Sequence, residues 1–166
     1  IEPIKEGSTI DLGSRTLGVH HAPGHAFHQV VFHDTDADAV FSADAAGIYA
    51  RHVGTIFETS PPPGFDLGEV LDDARMIRRL DPETICYGHF GPADADGRLE
   101  TYIDVITGWV ESVEKKRAEL EDDDAVVEHF VETSPVTDVW EGPKGPEEVR
   151  LNVRGVLHYL DSRSEE

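Results

Sequence analysis

Hydrophobic and polar positions alternate over the first part of the chain in a way that predicts short β-strands. Residues 8–12 and 15–20 carry β-compatible side chains on either side of Gly13-Ser14, which favours a hairpin with these two residues as its turn. Two further apolar runs cover residues 29–33 and 39–42, and the acidic, turn-forming segment 34–38 separates them. Four strands are therefore expected in this region.

Helical spacing replaces this alternation after the loop Pro61-Pro62-Pro63-Gly64. Asp66 is placed to cap a helix that runs to about Leu80, and Glu69 occupies the capping-box position. The apolar positions of this helix recur on one face: Leu67, Val70, Leu71, Ala74, Ile77 and Leu80. Asp81-Pro82 ends the helix, and residues 84–87 form the next predicted strand.

The remainder of the chain is predicted to be helical. From about Leu99 an apolar stripe follows helical spacing, with Tyr102, Ile103, Ile106, Trp109, Val110 and Val113. Asp124 is expected to cap a helix over residues 125–132, and segment 142–146 is the most linker-like part of the chain. A last helix is expected from about Glu147. Strands followed by one strand among several helices indicate an α/β or α+β layered domain.

Length and charge narrow the class of protein. A chain of 166 residues is long enough to bury a core as one domain. Its net charge of −20 would repel phosphate backbones and anionic membranes, so we expect neither nucleic acid nor a membrane as a partner. Cys86 is the single cysteine, which excludes an intrachain disulfide and fits a reducing cytoplasm.

The acidic residues are spread along the whole chain, a pattern typical of proteins from a high-salt cytoplasm. Molar salt shortens the Debye length to about 3 Å and would screen the self-repulsion that this charge creates. We therefore expect a cytoplasmic protein of a halophilic cell. The alternative is an acidic protein from an ordinary cell.

Two histidines and one aspartate follow predicted strands and precede small residues. His25 follows Ala22-Pro23-Gly24, Asp44 follows the apolar run 39–42, and His89 follows the strand 84–87. Loops on a rigid sheet are suitable places for metal ligands, and imidazole and carboxylate groups are common ligands of zinc. Asp44 could serve one ion or bridge two. The alternative is that these are ordinary packing or surface residues, since the chain has nine histidines.

Three segments carry a resemblance to a known family. Ala22-Pro23-Gly24-His25, Phe41-Ser42-Ala43-Asp44 and Gly88-His89-Phe90-Gly91-Pro92 resemble the third, fourth and fifth metal-binding motifs of the metallo-β-lactamase superfamily of hydrolases. The motifs occur in the family's order, and the similarity extends over nearly the whole chain. It does not identify the substrate, because one scaffold in this superfamily serves several reactions.

The resemblance implies roles for the three residues and a fold. His25 would bind one metal, Asp44 would bridge two, and His89 would bind the second. The implied fold is α/β, the second half of an αββα sandwich with a small mixed or antiparallel sheet and outer helices. Residues 1–94 would form this half, and residues 95–166 would form a C-terminal helical extension packed on the same domain.

The family's first motif, His-x-His-x-Asp-His, does not occur in this chain. His20 and His21 are too close together to replace it. The chain therefore resembles the C-terminal half of such an enzyme, and its start at Ile1 rather than Met favours a fragment. The parent protein would use two divalent metals, in the first instance zinc, and metal-bound hydroxide to hydrolyse an ester, thioester, lactone or amide. The isolated chain is expected to bind metal weakly or partially and to be inactive.

Half of a two-sheet fold would leave one sheet face without its partner. We expect the strands around Val19, Val31, Phe41 and Ile85 to present that face. Its occupant would be the missing N-terminal half or a second copy of the chain in a homodimer. The main alternative function is a non-enzymatic interaction or dimerisation module with a vestigial metal site. A third is an unrelated acidic domain whose loops mimic the motifs.

Three other residues are weaker candidates for the site. His28 follows the His25 loop closely enough to orient a ligand through its ring, although packing is the simpler interpretation. Tyr49 and His52 follow the Asp44 loop and would line a substrate cleft, unless that segment is a solvated loop. The small-molecule substrate of the parent protein would bind there.

Overall fold

The computed structural model describes residues 3–140 and 142–164. The strands within them are β1 (Thr9–Asp11), β2 (Thr16–His21), β3 (Val30–Asp34), β4 (Ala39–Ala43), β5 (Ile48–Ala50), β6 (Thr55–Phe57), β7 (Thr84–Tyr87) and β8 (Pro92–Asp94). The α-helices are α1 (Leu67–Leu80), α2 (Arg98–Leu120), α3 (Asp123–Thr133) and α4 (Lys144–Ser164), and a 3-10 turn covers Pro135–Asp138.

Six strands form one mixed sheet in the order β1-β2-β3-β4-β7-β8, and β5 pairs with β6 in a separate hairpin. Neighbouring strands of the large sheet are antiparallel except β4 and β7, which are parallel. A parallel pair needs a long crossover connection, and here that connection contains β5, β6 and α1. The predicted α/β fold with a mixed sheet and outer helices is confirmed.

Local sequence signals explain the boundaries of α1. The Asp66 carboxylate accepts a hydrogen bond from the Glu69 backbone N–H at 2.9 Å, as an N-cap does. Asp81 ends the helix in the left-handed region, with φ of 51°. Between these ends Val70, Ala74 and Ile77 are buried, so the helix was correctly predicted from its spacing.

The two faces of the large sheet differ in what covers them. Val31, Val40 and Ile85 lie on one face and are buried against helices α1 and α2 through Ile77 and Leu99. The opposite face carries Leu17, Phe32, Phe41 and Cys86 by strand register. Phe41 is 44% exposed there, and the other three are partly exposed.

The strand register shows which side chains of these strands lie on the partly exposed face. Val31 and Ile85 point to the face that the helices cover, because each lies one residue out of phase with Phe32 and Cys86. Val19 shares the face of Phe41, yet it is buried. Of the four residues around which these strands were identified, Phe41 is the exposed one.

A larger apolar cluster lies between the β5–β6 hairpin and the helices. It contains Ile56 and Phe57 from the hairpin, Val70 and Ala74 from α1, and a set of side chains from the C-terminal helices. That set includes Tyr102, Ile106, Val113, Val126, Val149, Val153 and Val156, all of them buried. Residues 1–94 and 95–166 therefore share one core.

Two boundary predictions were wrong, and three short strands were missed. Asp122, not Asp124, caps α3, because its carboxylate accepts the Ala125 backbone N–H at 3.0 Å. The segment 142–146 is not a linker, since α4 begins at Lys144 and Pro146 lies in the first turn, where backbone N–H groups need no helical acceptor. The short strands β5, β6 and β8 were not predicted, because three residues are too few to establish a period of two.

Candidate metal centre

The loop that carries His25 rests directly on helix α1. The Gly24 backbone N–H donates to the Asp73 carboxylate at 2.8 Å, and both residues are buried. A Cβ on Gly24 would lie 2.2 Å from the Val70 backbone nitrogen, so no other residue fits without moving the helix or the loop. The Ala22-Pro23-Gly24 segment therefore fixes the position from which His25 projects.

Asp44 follows the end of β4 through a distorted backbone. The register between β4 and β7 shifts between Phe41 and Ala43, and Ala43 adopts a left-handed φ of 46°. Non-glycine residues in this region are uncommon and concentrate at functional sites. Gly88 makes room for the side chain, since a Cβ at Gly88 would lie 3.2 Å from Asp44 Oδ1.

His89 follows β7 and meets the other two residues at the same edge of the sheet. Because β4 and β7 are parallel neighbours, their carboxyl ends lie together, and Asp44 and His89 leave from those ends. His25 Nε2 lies 3.6 Å from Asp44 Oδ2, and His89 Nε2 lies 3.7 Å from Asp44 Oδ1. The structure thus brings the three predicted side chains together, with each histidine facing a different carboxylate oxygen.

The environment of His25 suits a neutral imidazole. Burial lowers the pKa of His25, the carboxylate of Asp44 acts in the opposite direction, and nearby His89 and His28 lower it further. The Thr59 hydroxyl lies 3.1 Å from His25 Nδ1. A hydrogen bond from Nδ1–H to this hydroxyl leaves the Nε2 lone pair facing Asp44, and such contacts orient metal-binding histidines.

One carboxylate oxygen of Asp44 lacks any hydrogen-bond donor. Asp44 Oδ1 is a buried atom without a partner, although buried carboxylate oxygens are normally satisfied. A cation at this position would supply the missing contact, so the donor set fits metal binding. If divalent ions bind here, the side chains of this chain that would hold them are those of His25, Asp44 and His89.

The same geometry shows that the donor set is incomplete. Among residues 3–140 and 142–164, no three His, Cys, Asp or Glu side chains form a group able to hold an ion. In the two-ion arrangement each ion would receive one histidine and one oxygen of Asp44 from this chain. Zinc in catalytic sites normally has three protein ligands, so further donors are needed.

An aromatic surface adjoins His89. The Trp140 ring packs edge-to-face on His89 at 5.2 Å and tilted against Phe90 at 4.8 Å, and Lys144 Nζ lies 3.6 Å from the centre of the Trp140 ring. Phe90 is 38% exposed and has a left-handed φ of 60°. His52 packs against Phe90 at 5.4 Å.

The weaker candidates fall in different places. His28 is exposed and packs on Phe27 at 4.9 Å, close enough to His25 to influence its pKa. His52 adjoins the site through Phe90. Tyr49 lies on β5, where its ring packs 5.9 Å from Tyr87 and beneath the Arg98 guanidinium at 4.0 Å, and it contacts both apolar clusters. This placement gives Tyr49 a packing role.

Sequence reasoning missed three residues that support the site. Thr59 and Trp140 carry no local signal, because their contacts with His25 and His89 arise only from tertiary packing. Asp73 does carry one: it is an acid on the apolar face of α1, between Val70 and Ala74. An acid at such a position requires a buried partner, which the Gly24 N–H provides.

Comparisons with known proteins identify the family of the chain. Residues 1–89 match the family model of the metallo-beta-lactamase superfamily. A hydroxyacylglutathione hydrolase from Hyphomonas neptunium is 27% identical over 137 residues, which cover 80% of this chain and 50% of that protein. The chain therefore spans about half the length of this curated relative.

Solved structures show the same fold. A beta-lactamase domain protein from Burkholderia ambifaria is similar with a TM-score of 0.66 and 16% identity, covering 99% of this chain and 48% of that one. A metallo-beta-lactamase family protein from Thermus thermophilus is similar with a TM-score of 0.63 and 18% identity, and the match covers 98% of this chain and 49% of that one. No helix among the described residues is long and apolar enough to cross a membrane.

Proposed function

Because the chain belongs to the metallo-beta-lactamase superfamily, we propose that it is the C-terminal portion of a binuclear metal-dependent hydrolase. The substrate would contain an ester, thioester, lactone or amide. One observation carries this proposal: His25 and His89 face the two different oxygens of Asp44, and one of those oxygens is buried without a donor. That arrangement has no simpler structural purpose, since an unpaired buried acceptor destabilises the fold.

The chain's own residues would hold and orient the reaction centre. His25 with Asp44 Oδ2 would hold one ion, and His89 with Asp44 Oδ1 would hold the second. Thr59 would keep His25 in the tautomer that presents Nε2, and Asp73 would keep the Gly24 loop in place. Two divalent ions, when bound, lower the pKa of water and polarise a carbonyl group.

The curated relative suggests the first substrate class to test. Its name describes the hydrolysis of a hydroxyacyl thioester of glutathione. In this chain the exposed Phe90 and the ring of Trp140 would flank the substrate beside His89, and Lys144 is the cation at the edge of that surface. A thioester with an anionic portion would suit these surroundings.

The isolated chain would be inactive, because it supplies two donors for each ion. The other donors would come from the missing N-terminal half, or the chain would self-associate as a homodimer. In either case the binding partner would cover the sheet face that carries Leu17, Phe32 and Phe41. The alternative function, an interaction or dimerisation module with a vestigial metal site, is favoured by the same exposed Phe41.

Metal titration tests the site directly. We expect calorimetry with Zn²⁺ to show weak binding to the chain. Absorption spectra recorded after Co²⁺ loading should likewise indicate weak metal binding. Asp44→Ala should abolish binding of both ions, whereas His25→Ala and His89→Ala should each remove one. Asp96→Ala, an exposed acid of the same size in a loop, is the matched control and should leave binding unchanged.

Two outcomes would contradict the proposal. Unchanged Zn²⁺ binding in Asp44→Ala would show that the three residues are not the ligands. Tight stoichiometric binding by the chain alone would show that it contains ligands beyond these three. Thioester hydrolysis by the isolated chain, lost on chelation and in Asp44→Ala, would overturn the expectation that it is inactive.

The molecular mass of the chain in solution tests whether a second copy covers the partly exposed sheet face. We expect a dimer or larger assembly in light scattering in high salt, and a shift to monomer in Phe41→Glu. Leu120→Glu is the matched control, because Leu120 is exposed to a similar extent, 41%, at the end of α2. A monomer at all concentrations would rule out self-association and leave the missing half as the occupant.

A further inference from the structure

A small cavity opens between helices α2 and α3, away from the contacts among His25, Asp44 and His89. Its volume is about 220 Å³. Its walls combine one acid with aromatic, aliphatic and hydroxyl side chains: Glu58, Trp109, Ser112, Phe130, Thr133, Ser134, Pro135 and Val136. The proposed hydrolase does not use this cavity.

Glu58 is a buried acid without a counter-ion. Its residue is 9% exposed, and the hydrogen bond that stabilises its charge comes from its own backbone N–H. Burial raises the pKa of Glu58 above that of a solvated glutamate. No ion pair with Glu58 is present among residues 3–140 and 142–164. An isolated buried carboxylate is costly, so a cation in the cavity would stabilise the protein.

The aromatic walls are held in fixed positions. The rings of Trp109 and Phe130 meet edge-to-face at 4.9 Å. The Trp109 indole N–H donates to the Ser60 hydroxyl at 3.1 Å, so the indole cannot donate to a ligand. The faces of such rings attract organic cations, and most strongly where water is excluded.

Two hydroxyl groups of the wall also present acceptors. The Ser112 hydroxyl donates to the Gly108 carbonyl at 2.7 Å, and the Thr133 hydroxyl donates to the His129 carbonyl at 2.7 Å. Their hydrogens are thereby engaged, and only oxygen lone pairs remain available. A carboxylate, two hydroxyl oxygens and two aromatic rings form a lining that complements a hydrogen-bond donor carrying positive charge.

We propose that this cavity binds a small organic cation, a primary ammonium group on a short apolar body, with the ammonium at Glu58 and the body against Trp109 and Phe130. The site is independent of metal binding. It is also adjacent to the metal centre in sequence, because Glu58 precedes Thr59, whose hydroxyl contacts His25.

Trp109 provides the readout for a direct test. The chain has two tryptophans, so Trp140→Phe leaves Trp109 as the only one. This protein is titrated with n-butylammonium and with n-butanol, its neutral analogue, in about 1 M NaCl, which screens loose attraction to the acidic surface. We expect saturable quenching or a shift of Trp109 emission, with n-butylammonium binding at least about tenfold more tightly than n-butanol.

Substitutions then identify the groups that bind. Glu58→Gln keeps the shape of the side chain. It should reduce the ratio of the affinity for n-butylammonium to the affinity for n-butanol to about one. Glu132→Gln, an exposed acid on α3, is the matched control and should retain the full preference. If Glu58→Gln does not fold, Phe130→Leu serves instead: it should weaken n-butylammonium binding at least about threefold and n-butanol binding much less.

The proposal is overturned by either of two results. One is equal affinity for n-butylammonium and n-butanol, or no saturable response to n-butylammonium. The other is a preference that survives Glu58→Gln in a folded protein. Neither result would affect the proposed hydrolase, because its metal titration depends on Asp44 and not on Glu58.

Discussion

Asp73→Asn is expected to stabilise the protein at neutral pH while preserving the loop of His25. Burial is the main cause that raises the pKa of Asp73 to about 6; the Gly24 N–H and His21 act in the opposite direction, and nearby Glu69 and Asp72 add to the rise. The asparagine side chain keeps an oxygen that accepts the Gly24 N–H and removes the charge. The buried charge is therefore lost without losing the hydrogen bond.

The sign and size of the effect follow from proton linkage. Between about pH 4 and pH 6 the folded protein holds a proton on Asp73 that the unfolded chain has released, so the free energy of unfolding falls as pH rises through this window. Above about pH 6 this contribution is constant. A rise of about two pKa units corresponds to at most about 3 kcal/mol, and the exposed acids on α1 are partly screened by water, so we expect about 1 to 3 kcal/mol.

Urea unfolding at fixed salt between pH 4 and pH 8 measures this effect. Asp73→Asn should be more stable than the parent chain above pH 6, and the difference should shrink towards pH 4. Asp72→Asn, the same change on the exposed face of α1, should alter the slope between pH 4 and pH 6 much less, because Asp72 is the smallest of the influences on the pKa of Asp73. Parallel curves for Asp73→Asn and the parent chain would refute the reasoning.

Three further predictions concern stability. Gly24→Ala should lower the free energy of unfolding by about 2 to 3 kcal/mol, because its Cβ would meet the α1 backbone. The control Gly108→Ala lies in open space on α2 and should raise the free energy of unfolding by about 0.5 to 1 kcal/mol. Equal effects of the two substitutions in denaturant unfolding would contradict the close packing of the loop. Asn152→Ala should lower the free energy of unfolding by about 2 to 3 kcal/mol, because the buried Ser60 N–H loses its acceptor at 2.7 Å. The control Leu151→Ala, at a position that is 43% exposed, should lower it by less than about 1 kcal/mol. A smaller loss of stability in Asn152→Ala than in Leu151→Ala would show that the contact with Ser60 is not important. Raising KCl from about 0.1 to 2 M should increase the urea midpoint, because the net charge of −20 is screened, and an unchanged midpoint would reject the halophilic interpretation.

The parts of the fold that sequence could predict are those with local causes. The Asp66 cap and the periodic apolar positions of α1 determine that helix without help from the rest of the chain. The strands β2, β3 and β4 have enough residues to show alternation, and all three were predicted. The strand β8 has three residues and is recognisable only from its pairing with β7.

The candidate site also contains residues that a local sequence signal identifies and residues that only tertiary packing brings there. The turns after β2, β4 and β7 mark His25, Asp44 and His89 in the sequence, and the structure places their side chains together. Their binding of metal stays a prediction. Thr59 and Trp140 reach the site because the β5–β6 hairpin and the C-terminal segment pack around it, and such long-range contacts leave no pattern in the neighbouring sequence.

The parallel pairing of β4 with β7 has a consequence for the order of folding. Asp44 and His89 leave adjacent strand ends, but the two strands are joined only through the long connection that contains β5, β6 and α1. Contacts that close long loops form slowly, because the chain entropy is lost before the contacts stabilise it. Since α1 also anchors the His25 loop through Asp73, one late event would bring His25, Asp44 and His89 together. The proposed metal-binding arrangement would therefore form only with the final tertiary structure during refolding.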